Sequence, residues 1–563
     1  MNGSSPTCAV SLCVLSCNKS ALGAALATRL KRRFVDLDTQ LEAQLGVTIK
    51  LFVEKEGWPA FRARELEVLQ AALSASGPLS AVRGCVISCG GGVVETPAAL
   101  TLLQQYSGPV LQLKRHIDDV AAYLAEDQSR PGYDVRAVWA QREPLYTQAS
   151  RFEFDIERGD TNWPRLEDEL FDFAASILAP PAVRYGALLR PNTFFLSLTM
   201  PDLAARALKY RQGLQSEIDA ASNGCDMIEL RVDLVSSTYD ADKLKSYFAT
   251  LRSVTRLPIL WTVRSRRQGG AFVDYEGAQA AANELQMRSA LELGFRLGAQ
   301  MVDMESALSA ASRAALYALR DRSYPNTAII SSHHEPRNNG GNSVDEVKRW
   351  FERCANAAAS AGGAGKRGPE VVKVVVLAQS ETDGFRLLQA ANEAERAFAA
   401  ASPRGPQLIA VAMGPLGRAT RVYNRVLTPV THSLMPSAAA PGQLTVEQIM
   451  FAREALALSP FDTLTLHSPL KKVLLLGAPI SASMSPVLHN VAFRWLRVAP
   501  AHVYELYETD SVESVQFALS WPHFGGANVT IPLKEQVAHL MQHQSEAAKT
   551  IGAINTIVKR KDG

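Results

Sequence analysis

Between residues 190 and 458, short runs rich in Val, Ile, Leu and Met alternate with stretches of helical character. The runs are Phe194–Leu198, Met227–Val232, Ile259–Val263, Met301–Met304, Ala328–Ser332, Val371–Leu377 and Leu408–Met413. Seven or eight strand–helix units in about 270 residues predict a parallel (β/α)8 barrel, a fold that presents its chemistry at strand ends. Ahead of this block, residues 8–178 open with a strand over Ala9–Leu15, a loop over Ser16–Ser20 and a helix over Ala21–Arg33. That is the opening of an α/β domain with a parallel sheet. Residues 473–563 start again with a strand, Val473–Leu476, and the sequence reaches Gly563 while strands are still being laid down. The connectors are Leu178-Ala-Pro-Pro-Ala-Val-Arg-Tyr-Gly186 and the stretch Ser459 to Lys472, and Ala355–Gly368 reads as a surface loop inside the barrel block.

Composition narrows the function classes. A chain of 563 residues is too long for one core and calls for several domains. Hydrophobic residues at 47% and charged residues at 20% are the balance of an ordinary soluble globular protein. Charge is nearly even, 59 basic against 56 acidic side chains, so nothing argues for direct DNA contact, which wants a basic patch or arm. No apolar run reaches the length of a membrane span. The apolar stretch Cys8–Cys17 has no Lys or Arg before it, so it reads as a buried first strand rather than a secretory leader. Seven cysteines without a C-x-x-C pair suggest reduced thiols, a cytoplasmic or nuclear setting and no metal centre.

The loop after the first strand stands where a phosphate-binding loop, GxxxxGK[ST], would be. Lys19-Ser20 survive, but Cys13, Ser16 and Asn18 occupy the glycine positions, and side chains there obstruct the backbone nest that wraps a phosphate. Downstream come Phe34-Val-Asp-Leu-Asp38, Gly57 with Phe61-Arg62-Ala-Arg-Glu65, Gly90-Gly-Gly92, Arg130-Pro131 and Arg142-Glu-Pro-Leu-Tyr146. In order and spacing this block resembles the shikimate kinases, although Trp58 replaces a Glu of the family's GExxFRxxE. The resemblance implies that Asp38, Arg62, Gly91 and Arg142 form a shikimate pocket. A guanidinium fork for a carboxylate and an acceptor for hydroxyls suit a small polyhydroxy acid. ATP use is not expected from so degenerate a loop.

The barrel block carries Thr193-Phe-Phe-Leu-Ser-Leu-Thr-Met-Pro-Asp202, Asp226-Met-Ile-Glu-Leu-Arg-Val-Asp233, Arg264-Ser-Arg-Arg-Gln-Gly-Gly270, Ser331-Ser-His-His334, Val371-Val-Lys-Val374, Met413–Arg421 and Ala439-Ala-Pro-Gly-Gln443. It resembles type I 3-dehydroquinate dehydratase, a lysine Schiff-base enzyme. The chemistry asks for an amine to attack a ketone and a base–acid beside it. Lys373 lies in an apolar run, where burial disfavours a charged amine. On the resemblance it is the Schiff-base lysine and His333 the acid/base. Arg421 would hold the substrate carboxylate, with Glu229, Arg231, Arg264 and Gln443 on the hydroxyl side. Gln268 stands where the family has a Glu that positions the histidine, Ala439 where it has a Ser, and His334 where an Asp follows the histidine. Losing that Glu leaves the histidine poorly oriented and its protonated form less stabilised.

Gly477-Ala-Pro-Ile-Ser-Ala-Ser483-Met-Ser485-Pro-Val-Leu-His-Asn490, Gly526-Ala-Asn-Val-Thr530-Ile-Pro-Leu-Lys534 and Ile551-Gly-Ala-Ile-Asn555-Thr556 resemble the substrate domain of shikimate dehydrogenase. The resemblance implies that Ser483 and Ser485 hold the substrate carboxylate, that Asn528 or Asn555 binds hydroxyls, that Thr530 also binds the ligand, and that Lys534 is the catalytic lysine. The sequence ends before any GxGxxG nucleotide site, so no NADP and no hydride donor are expected.

Three such blocks in this order resemble the C-terminal domains of the fungal pentafunctional AROM polypeptides, and in their decay the fungal quinate repressors. The second resemblance implies a non-catalytic transcriptional repressor that uses no cofactor. It would sense quinate, shikimate or dehydroquinate and act through a transcription activator protein. The competing reading is a multifunctional enzyme that retains 3-dehydroquinate dehydratase activity alone.

Overall fold

The first block folds around a parallel sheet of five strands: β1 (Leu12–Ser16), β2 (Arg33–Asp36), β3 (Cys85–Ser88), β4 (Val110–Lys114) and β5 (Phe152–Asp155). Their order is β2-β3-β1-β4-β5. This computed structural model describes residues 12–16, 19–73, 84–125, 134–337, 342–358, 367–402, 405–456, 458, 471–495, 502–521 and 524–559. Residues 8–11, Asn18 and the Arg130-Pro131 motif lie outside the described residues. Helices α1 (Lys19–Arg29), α2 (Ile49–Leu73), α3 (Val135–Ala149) and α4 (Trp163–Leu178) cover the sheet. Helix α1 starts two residues earlier than expected and stops at Arg29 rather than Arg33, because Lys31 turns the chain at φ 53° and Arg33 already pairs with Cys85 on β3.

The barrel strands are β6 (Phe194–Leu198), β7 (Met227–Arg231), β8 (Ile259–Thr262), β9 (Met301–Glu305), β10 (Ala328–Glu335), β11 (Val371–Leu377), β12 (Gln407–Met413) and β13 (Thr428–Val430). They run in the order β12-β11-β10-β9-β8-β7-β6-β13, with every neighbouring pair parallel. Between the two end strands sits Asn424, whose Oδ1 accepts from Ala410 N at 2.9 Å while its Nδ2 donates to Thr428 Oγ1 at 2.9 Å. Phe195, Met227, Leu260, Met301, Ala328, Val371 and Ile409 plug the interior near the strand starts. Two residues further along, the inward positions become Ser197, Glu229, Thr262, Asp303, Ile330, Lys373 and Val411. A dry floor therefore lies under a polar mouth.

Four helices around the barrel matter below: α5 (Ala241–Val254), α6 (Ala280–Arg296), α7 (Val344–Ala355) and α8 (Ala419–Tyr423). Helices α5 and α6 meet β5 of the first block, and residues 1–444 form one compact unit. At that junction Glu153 is fully buried and paired with Lys245 at 2.6 Å and Arg296 at 2.8 Å. These cations overcome the burial penalty and hold Glu153 down to about 2. Its neighbour Asp155 is pushed up to about 7, by burial first and by Glu153 second. An acid with a raised folded pKa binds its proton more tightly folded than unfolded, so its contribution declines from about pH 4 to 7. Asp155→Asn is therefore expected to be near-neutral in urea midpoint at pH 4 and stabilising at pH 8.

The second unit, residues 445–563, contains helix α9 (Val446–Ala455) and a four-stranded sheet. Its strands are β14 (Lys471–Gly477), β15 (His502–Glu508), β16 (Phe524–Val529) and β17 (Thr556–Val558), in the order β15-β14-β16-β17. Only β17 is antiparallel to its neighbour. Helix α10 (Ser485–Trp495) follows β14. Among the described residues no helix is long and apolar enough to cross a membrane.

Candidate ligand pockets

In the barrel mouth the structure brings Glu229, Arg231, Arg264, Gln268, Lys373, Arg421 and Gln443 together around one pocket, with Ala439 also lining it. Strand periodicity explains how Lys373 reaches it. Val372 and Val374 turn outward into an apolar layer against α7, so Lys373 points inward among polar groups and not into the apolar environment its neighbours suggest. Its Nζ lies 3.1 Å from Asp303 Oδ2 and 3.8 Å from Glu229 Oε1. Asp303 also accepts from Ser332 Oγ at 2.5 Å and pairs with Arg264 at 2.8 Å. Burial opposes its ionisation, but Arg264 and Lys373 bring the carboxyl down to about 2.

Glu229 is held by Ser197 Oγ at 2.7 Å and Thr262 Oγ1 at 2.9 Å. Gln443 donates to Ser197 Oγ at 3.2 Å and accepts the Ala439 N–H at 2.8 Å. Arg231 turns to Asp233 at 2.7 Å. Arg421, on α8, donates to the carbonyls of Gly442 and Pro429, and burial lowers its guanidinium to about 10. Free space between these groups is only about 60 Å³, so a six-membered ring acid would have to displace side chains now paired across it. Asp303, Glu305 and Ser332 were not singled out from sequence, yet they organise the basic groups of the site.

The histidine assignment needs correction. His334, not His333, lines the pocket with Lys373. Lys373 pairs in register with Ser332 on β10, so the inward positions of that strand are Ile330, Ser332 and His334. His333 faces outward and packs on Trp350 of α7, ring centroids 4.7 Å apart. Gln268 Oε1 accepts the backbone N–H of His334 at 3.0 Å. Burial, Arg264 and Lys373 drive the His334 imidazole well below the ordinary histidine range.

In the first block the surviving phosphate-loop residues are tied to the chain's own acids. Lys19 Nζ donates to Asp38 Oδ2 at 3.2 Å, and Ser20 Oγ donates to Asp36 Oδ2 at 2.5 Å. Of the substituted glycine positions, Cys13 and Ser16 fall within β1. Arg62 binds Glu65 at 2.6 Å and Glu95 at 2.5 Å, and Arg142 reaches the same Glu95 at 2.7 Å. Gly91 offers its carbonyl to the Tyr146 hydroxyl. A Cβ at Gly92 would stand 1.9 Å from Arg62 Nη2, and one at Gly90 2.2 Å from Glu65 Oε1; the glycines let the backbone pass this close. Trp58 lies under the Arg62 guanidinium at 5.3 Å.

Glu95 escaped the sequence reading, although it occupies both arginine forks expected to take a ligand carboxylate. Burial works against its ionisation, but Arg142 and Arg62 hold it below the usual carboxylate range. Glu95→Gln is expected to tighten shikimate binding at least fivefold by calorimetry. Weaker binding would mean that Glu95 positions the arginines instead of competing for them.

In the second unit Ser483 Oγ accepts the Ser485 N–H at 3.2 Å. Tyr504 Oη donates to Asn528 Oδ1 at 2.7 Å, and His489 stacks on Tyr504 at 4.2 Å. Thr530 N bonds Leu476 O, Ile554 N bonds Lys534 O and Val529 N bonds Asn555 O. Thr530, Lys534 and Asn555 are thus brought together through the backbone beyond the C-terminal ends of β14 and β16. Tyr504 and His489 were not predicted.

Three families match in the same order. Residues 16–163 match shikimate kinase, residues 207–459 type I 3-dehydroquinase, and residues 475–557 the shikimate dehydrogenase substrate binding domain. The chain is AROM-like. It is 35% identical over 557 residues to the pentafunctional AROM polypeptide of Schizosaccharomyces japonicus, a match covering 96% of this chain and 32% of that relative. The chain therefore spans about a third of that AROM polypeptide's length. Among solved structures, the dehydroquinate dehydratase and shikimate dehydrogenase from S. pombe AroM is 31% identical, covering 66% of this chain and 63% of that one at TM-score 0.46. Shikimate kinase from Acinetobacter baumannii in complex with shikimate is 25% identical, covering 30% of this chain and 93% of that one at TM-score 0.27.

Proposed function

We propose that this AROM-like chain is a non-catalytic transcriptional repressor of quinate utilisation. It reads a quinate-, shikimate- or dehydroquinate-type acid in pockets of enzymatic descent and acts by holding a transcription activator protein, in the nucleus or the cytoplasm. The observation that carries the reading is a mismatch inside one pocket. Groups suited to hold a polyhydroxy acid converge on Lys373, yet the imidazole of His334 beside them is buried in the positive fields of Arg264, Lys373 and Arg231, and Gln268 meets only its backbone N–H. Such an imidazole is poorly set to become an imidazolium and return a proton. The first block supports the same reading, because Lys19 and Ser20 are bound to Asp38 and Asp36. No ATP or NADP enters this function. Near-balanced charge fits action through a protein better than through DNA.

A second reading is favoured by the burial of Lys373 among Asp303, Glu229 and Gln443: a 3-dehydroquinate dehydratase working through a Lys373 Schiff base with His334. Incubation of the full chain with dehydroquinate and borohydride, alongside a turnover assay, separates the two. Tight binding of quinate or shikimate without turnover supports the repressor. Appreciable turnover that Lys373→Ala abolishes would replace it with the enzyme.

A further inference from the structure

His333 is the least explained polar side chain of the barrel. It is 9% exposed, and neither ring nitrogen has a hydrogen-bond partner among the described residues. Buried polar atoms are nearly always satisfied, so one left open asks for a partner. The ring lies against Trp350 at an interplanar angle of 34° and lines a chamber of about 350 Å³ on the outer side of β10.

Charge in that chamber does not balance. Arg267, Arg337 and Arg353 line it against Glu276 and Glu335. Arg267 is paired with Glu276, while Arg353 forms no ion pair among the described residues. Burial together with the fields of Arg353, Arg264 and Arg267 lowers His333 to about 4. The imidazole is therefore neutral at pH 7 and offers one donor and one acceptor.

We propose that this chamber is a second ligand subsite, which seats a small oxyanion, a carboxylate or a phosphate, between Arg353, Arg267 and His333. Guanidinium forks and a ring N–H are the donors that oxyanions take. Gln268 and His334 line both this chamber and the Lys373 pocket, so an occupant touches the far side of the wall that flanks the first site. The inference does not depend on what binds at Lys373.

The full chain, labelled in its histidine rings, is titrated near pH 7 with sodium phosphate and separately with acetate at constant ionic strength. Nuclear magnetic resonance reads the His333 ring, assigned with His333→Gln. A saturable shift is expected in the millimolar range or below, weakened at least tenfold in Arg353→Ala and unchanged in Arg158→Ala, which removes an exposed charge far along the chain. Stronger binding of phosphate identifies a phosphoryl ligand, and stronger binding of acetate a carboxylate; both support the subsite. A non-saturating response to both anions, or an Arg353→Ala protein that titrates like the parent while Arg267→Gln does too, overturns it.

Discussion

Asp303→Ala is expected to destabilise the barrel by about 3–5 kcal/mol, the cost of leaving buried cations without their counter-charge. Asp303 is fully buried and shares its two oxygens among Arg264, Lys373 and Ser332. Without it, Arg264 and Lys373 face each other in the barrel mouth with only Glu305 at 3.2 Å and Glu229 at 3.8 Å. Lys373→Met should cost less, because Asp303 keeps Arg264 and Ser332. The pH dependence has a definite sign. A carboxyl held at about 2 in the folded state, against about 3.9 unfolded, contributes stability above pH 4 and loses it as pH falls through 2. The gap between parent and Asp303→Ala should hold from pH 7 to about 4 and then close. Urea titration read by hydrogen exchange in β9 to β11 checks both statements. A gap near zero at pH 7 would mean that the buried cations find other partners.

Much of this architecture is legible in the sequence, for physical reasons. Seven barrel strands are apolar runs because parallel strands are covered on both faces, and their ends fall within a few residues of those read from the pattern. The eighth, Thr428-Pro-Val430, is three residues long and contains proline, so no local pattern marks it. It exists because Thr428 to Val430 pair with Phe194 to Leu196, over 230 residues earlier in the chain. The (β/α)8 class could therefore be read while its closing strand could not.

Site residues divide along the same line. Lys373 was singled out from its motif, and the structure brings it into one pocket with Glu229, Arg264 and Gln443. His333 was one residue out, and the strand period could have shown it. Counting in twos from Ile330, which is part of the interior plug, puts Ser332 and His334 inside and His333 outside. Asp303 and Glu305 look like solvated charges on a short strand. Their burial depends on Arg264 arriving from the neighbouring strand, a contact that no local pattern encodes. Glu95 is a similar case: it matters only because α2 and α3 each bring an arginine to it.

Gln268→Glu should switch dehydration on. His334 is driven down by burial and by Arg264, Lys373 and Arg231, so the proton it takes from a substrate is held weakly. A glutamate is nearly isosteric with Gln268. It keeps the oxygen that now accepts both the backbone N–H of His334 at 3.0 Å and Arg264 Nη1 at 3.5 Å, and puts a second oxygen where the amide nitrogen stands. What it adds is a negative charge in the wall that Gln268 and His334 share, and an opposite charge within about 4–6 Å moves a pKa toward the charged form by about 1–3 units. Dehydroquinate turnover is expected to rise about ten- to hundredfold over the parent, in line with what an orienting partner contributes to a catalytic group. Lys373→Ala in the same background should remove the gain if the reaction runs through an amine adduct, because the one amine lining the pocket among the described residues is then absent. The pH–rate profile should also move, with its acid limb set by the raised His334. Unchanged turnover with ligand binding intact would shift the defect away from His334. Ala439 would come next: its N–H is bound to Gln443, and it has no hydroxyl to offer a substrate.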